Sequence, residues 1–212
     1  MSSKLESYLQ ALPDGLASYP QCQTKASSFR SFTDYMIEAS GRGFLAELPQ
    51  EVRDLVDRPP EFSAWVPSVH WNLLLAAYLD ASSKSDQEVL QWYYDSQLNF
   101  FTSKVYAPLF KVMTPAIILR GAKSRFSNFH TAVDVSVERW TNKNFDVRLA
   151  FPDHLLPDWR LELIGVSIRA ALDVGGHDAG VYLREHDAGG ALFSATIGSL
   201  GESVAPSEAG QL

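Results

Sequence analysis

The chain has 212 residues, 46% of them hydrophobic and 12% aromatic, enough to fill a core that buries roughly 70% of the unfolded surface without disulfides or a structural metal. Its 18 basic and 25 acidic residues leave a net charge of −7, which argues against general binding to a nucleic-acid backbone. A lone cysteine makes no internal bridge, the opening "MSSKLESYLQ" lacks an apolar signal core, and no run approaches the ~20 apolar residues of a membrane span, so a soluble, cytoplasmic protein is expected.

Helical periodicity dominates the first part of the chain. In "SSFRSFTDYMIEASG", Phe29, Phe32, Met36 and Ala39 recur on one helix face and Gly41 suits the stop. "LPQEVRDLVDRPP" starts a helix near Pro49, turns Val52, Leu55 and Val56 inward and stops at Pro59 and Pro60. "VPSVHWNLLLAAYLD", with Ser68 as its expected N-cap, is apolar nearly all round, the mark of a central core helix. Ser85 and Glu88 have capping-box spacing, and Leu90, Tyr94, Leu98 and Phe101 follow as an apolar stripe. "YAPLFKVMTPAIILRGAKSRFSNFH" reads as a short helix interrupted by Pro115 and a second helix ending near His130.

The period changes at residue 133. "VDVSVERW" and "FDVRLAF" alternate apolar and polar residues around the turn "TNKN", predicting a hairpin with one wet face. A helix is expected from about Pro157 to Val174, with Trp159, Leu163, Val166 and Ala170 on one side and Gly175-Gly176 as terminator. "GVYLREH" and "ALFSATI" then form a second hairpin across "DAGG". The fold class is therefore α+β. A single domain is expected over residues 1–198, mostly helical to 131 and strand-strand-helix-strand-strand over 132–198. The tail 199–212 has no anchoring residues and is expected to be disordered.

The strings "LPDGLASYPQCQTKAS", "LPQEVRDLVDRPPEFSAWVPSVH" and "VYAPLFKVMTPAIILRGAKSRFSNFHT", with the closing strand and helix order, resemble a myxobacterial paralogous family of unknown function. The resemblance covers most of residues 12 to 197 and consists of spaced prolines, aromatics and glycines. In architecture it looks like the ligand-binding fold of vinyl-reductase-type sensor domains, haem-nitric-oxide-binding domains and Bet3 transport subunits. That resemblance implies either a hydrophobic or planar ligand held between helices and sheet, or an assembly subunit. The haem-binding branch uses a proximal histidine on a helix and a Tyr-x-Ser-x-Arg string; His70 and His130 fall on expected helices, but the string is absent.

The residues themselves offer little catalytic chemistry. The histidines at 70, 130, 154, 177 and 186 form no metal-ligand spacing, and no Gly-x-Ser-x-Gly elbow, P-loop or dinucleotide fingerprint is present. Cys22, three residues before Lys25, is a candidate reactive or acylated thiol set against the plainer reading of a packed loop cysteine. No acidic residue falls between Asp95 and Asp134, where Lys104, Lys111, Arg120, Lys123 and Arg125 cluster. The expected ligand site is accordingly Tyr106, Phe110, Phe129 and His130 as pocket walls, with Arg120 and Arg125 as anion contacts. The leading function is a non-enzymatic binding or sensory domain for a small hydrophobic or anionic ligand, with no cofactor identified and no metal site expected. The alternatives are an assembly subunit bound to a protein partner or to itself, and an enzyme using Cys22 or His130.

Overall fold

The computed structural model describes residues 2–104, 106–110, 122–141 and 143–198; of the side chains at 109, 110, 122 and 125 nothing is said. Helix α1 (Lys4–Ala11) opens on Ser3, whose hydroxyl accepts from the Glu6 amide. After a single 3₁₀ turn the chain enters β1 (Gln23–Lys25), α2 (Ala26–Ser40), a second 3₁₀ turn and α3 (Gln50–Asp57). Strand β2 (Trp65–Pro67) pairs antiparallel with β1. Gly41 ends α2 at φ +72°, the left-handed region that glycine tolerates best.

Helix α4 (Ser68–Ala81) has ten buried residues spread over all its faces, as its continuous apolar run predicts. Its N-cap is Pro67 and not the expected Ser68. The Ser68 hydroxyl is engaged elsewhere, 3.0 Å from the Thr24 hydroxyl, and its amide donates to the Cys22 carbonyl at 2.9 Å. Helix α5 (Asp86–Phe101) begins with the expected capping box: Ser85 Oγ accepts from the Glu88 amide, and Glu88 Oε2 accepts from the Ser85 amide.

The apolar stripe expected on α5 is turned by one residue. Leu90, Tyr94, Leu98 and Phe101 are half-buried, and the buried face consists of Tyr93, Ser96, Gln97 and Phe100. Two polar residues on that face hid it from a reading of apolar period. Short helices α6 (Ala107–Phe110) and α7 (Ala122–Phe126) follow; Pro115 and Arg120 lie outside the described residues. Helix α7 closes in turns before His130.

Strands β3 (Asp134–Trp140) and β4 (Asn144–Ala150) form the first hairpin, α8 (Asp158–Val174) crosses, and β5 (Ala179–His186) and β6 (Gly190–Ile197) form the second. The order is β3-β4-β6-β5, antiparallel throughout, so the hairpins join through β4 and β6 with Val147 opposite Phe193. One face carries Val135, Phe145, Leu149 and Phe193 into the core. The other is polar: Asp146 accepts from Ser194 and meets Arg139 and Arg184, while Arg148 bridges Glu138 and Glu185. Helix α8 lies close against the core face because Gly165 has no side chain; a Cβ there would stand 3.3 Å from the Phe193 ring. One hydrophobic cluster runs from Tyr8 to Ala195 through both helices and sheet.

Candidate functional site

The β1 strand is short but it is the joint of the helical layer. Gln23 to Lys25 pair with β2 on one side. On the other, the Lys25 amide donates to the Phe129 carbonyl at 2.8 Å and the Thr131 amide to the Gln23 carbonyl at 2.8 Å. These bonds hold the segment after α7 against the helices and fix His130. Its Nδ1 lies 3.2 Å from the Thr24 hydroxyl and its ring stacks on Phe126 at 4.6 Å. Burial, with a smaller contribution from the Arg160 charge, pushes the imidazole down to about 3. It is neutral at any ordinary pH, and among the described residues its Nε2 meets no hydrogen-bond partner.

His130 and Phe129 form part of the wall of a cavity of about 230 Å³ lying between the helices and the sheet. Helices α2, α4 and α5 supply Phe32, Trp71 and Phe100; the sheet supplies Phe145 and Val147; α8 supplies Ile164 and Leu172. The aromatic rings brace each other, with Phe32 stacked on Tyr93 at 5.2 Å and edge-on to Trp71 at 5.8 Å. Against this apolar lining stand a few polar groups, chiefly Arg160 and Gln97, which are respectively 4% and 6% exposed.

The remaining expected site residues are placed differently. Tyr106 stands behind the wall, its ring 4.5 Å from Phe100 and 5.5 Å from Phe129, and its hydroxyl donates to Ser27 Oγ at 3.0 Å. Arg120 lies outside the described residues, as do the side chains of Phe110 and Arg125. Cys22 is 0% exposed and burial pushes its thiol up, so it offers neither access nor thiolate. It is a packed residue of the β1 joint. Lys25, the cation expected to help it, sits over the Trp65 ring at 4.2 Å. Among the described residues, no group of three His, Cys, Asp or Glu is placed to hold a metal ion, and no helix is long and apolar enough to cross a membrane.

Arg160 and Gln97 were missed by sequence reading. Both interrupt apolar helix faces, which in a sequence reads as a solvated position; a polar residue inside an otherwise buried face was the only available signal.

The arrangement of helices over a four-stranded antiparallel sheet has solved counterparts. The fold is that of the H-NOX domains. An oxygen-binding H-NOX domain related to soluble guanylate cyclases superposes with a TM-score of 0.60 at 8% identity, covering 82% of this chain and 95% of that one. The Fe(II) unliganded H-NOX protein of K. algicida matches at 0.57 and 11% identity over 84% and 99% of the two chains. A mutant of the T. tengcongensis H-NOX matches at 0.57 and 9% identity over 82% and 98%. At such identities the likeness is one of fold. No family model matches the sequence, and neither does any curated protein.

Proposed function

We propose that residues 1–198 act as one small-molecule-binding sensory unit, in the manner of the H-NOX-like and vinyl-reductase-type domains that the sequence resembles. The observation that carries the reading is the apolar, aromatic-lined cavity in the middle of the core, at the seam of helices and sheet. A seam between layers is where small ligands are commonly held. Its wall at Phe129 and His130 is also the segment bonded to β1. Occupancy would therefore be read out at the joint between the helices and the sheet-bearing half, through unequal affinity for two arrangements of that segment.

The neighbours' haem is not the ligand favoured here. A neutral imidazole can serve as an iron ligand. The cavity, however, falls below the roughly 300–1,000 Å³ of drug-sized sites, and a tetrapyrrole needs more than that. The described lining supplies one cation, Arg160, for two propionates, and the Tyr-x-Ser-x-Arg string is absent. The described residues do not fit a haem.

Native mass spectrometry of freshly purified protein, beside its denatured mass and absorption spectrum, tests the reading. The expected result is an added mass that leaves on denaturation, without a Soret band. A bare mass, together with no thermal shift from a panel of small apolar probes, refutes the binding function. A Soret band refutes the exclusion of haem.

A further inference from the structure

Arg160 is a buried cation with no anionic partner among the described residues. It lies in the first turn of α8, and its Nη1 donates to the Tyr93 hydroxyl at 3.1 Å. Its Nε is buried with no hydrogen-bond partner, and no carboxylate among the described residues forms an ion pair with it. A guanidinium held in an apolar interior without a counter-ion costs several kcal/mol. Proteins seldom keep such a group unless something anionic meets it.

Two polar groups that share its cavity wall can donate. Tyr93 and Gln97 are one turn apart on α5 and share its buried face. Because Tyr93 Oη accepts from Arg160, its O–H remains to donate, and no described residue takes it. The Gln97 amide likewise has no partner among the described residues, although the side chain is buried and lines the cavity. Arg160, Tyr93 and Gln97, on two helices that pack against each other, therefore share the wall of one chamber. Most of the remaining lining is aromatic and aliphatic.

Resting on the binding function proposed above, we propose that this cavity takes a small apolar monocarboxylic acid, its carboxylate held by Arg160, Tyr93 and Gln97 and its body among Phe32, Trp71 and Phe145. A carboxylate is acceptor-only with about four lone-pair sites, which matches a set made of donors. The single cation of the described lining matches one negative charge, and a phosphate dianion would bring a second charge that no described lining residue meets. The body can be aromatic or a short acyl chain, since the lining is flat rings and branched aliphatics alike.

The test uses the whole chain and reads tryptophan emission, which Trp71 in the cavity wall reports, together with the thermal midpoint. The probes are 4-phenylbutyrate and octanoate, each beside its neutral amide. The expected result is that both acids bind at least tenfold more tightly than their amides. Arg160→Met abolishes that preference while keeping amide binding, and Gln97→Leu weakens the acids several-fold. Arg160→Lys, which keeps the charge, retains part of the preference and serves if the Met variant fails to fold. Phenylbutyrate binding without octanoate assigns the aromatic class of acid, and the reverse assigns the acyl class. Equal binding of acid and amide, unchanged by the Arg160 variants, overturns the carboxylate proposal and leaves the apolar cavity standing. Failure of every acid and amide to move either signal overturns both.

Discussion

Lowering the pH from about 7.5 to about 5 should cost the fold about 2 kcal/mol through His130 alone. Burial first and the Arg160 charge second hold the folded-state imidazole at about 3, whereas in the unfolded chain it titrates near 6.5. The neutral ring is thus the native form. Its contribution is fully present above the unfolded value and is lost as the pH falls toward 3, because the unfolded chain then binds a proton that the native one refuses. About pH 5 lies roughly 1.5 units below the unfolded value, and each unit is worth about 1.36 kcal/mol. The figure depends only on the folded ring still being neutral there.

Urea denaturation of the wild type and of His130→Asn at the two pH values measures this loss. Asparagine keeps a hydrogen-bonding group for the Thr24 hydroxyl but does not titrate. His70, which burial also pushes down, is present in both proteins and cancels. The wild type should lose about 2 kcal/mol more than the variant over this interval. Equal losses, or a His130 ring signal titrating near pH 6 in the native protein, would refute the reasoning.

Other outcomes follow from packing. The Cys22 thiol should react with an aromatic disulfide reagent at least about a hundredfold more slowly than a free thiol, and at the free rate only in denaturant; fast native reaction would mean that the β1 joint is open. Asn72 donates to the Tyr8 hydroxyl at 3.0 Å and to the Leu155 carbonyl at 2.8 Å in the buried core. Asn72→Leu should therefore cost about 2 kcal/mol, and a loss below about 0.5 kcal/mol in a urea titration would show that the network is not retained in solution. Gly165→Val should cost about 1–3 kcal/mol by overpacking α8 against Phe193, and a neutral effect would show that the helix is free to shift.

Much of this architecture is legible in the residues because local physics decides it. The Ser85 capping box, the nearly all-round apolar α4, Gly41 after α2 and the two hairpins each answer to a rule about a few neighbouring residues. The joining of the hairpins through β4 and β6 is a long-range fact with no local signature. The same limit explains the His130 site, where Thr24 and His130 meet across 106 residues through a strand only three residues long.

The polar residues on the buried faces of α5 and α8 escape apolar period for a different reason, and it bears on function. Apolar period picks Leu90, Tyr94, Leu98 and Phe101 on α5, yet the chain buries Tyr93 and Gln97. On α8 it picks Leu163 and Ala170, which are buried, and Trp159 and Val166, which are half-buried, but it passes over the buried Arg160. Had either helix merely needed to pack, an apolar side chain at 97 or 160 would have served at less desolvation cost. Gln97 and Arg160 line the same cavity. Local rules broken on two separate helices that line one cavity fit a binding requirement. The polar face of α5 and the buried arginine of α8 line one cavity, and it is on that pairing that the proposed carboxylate site rests.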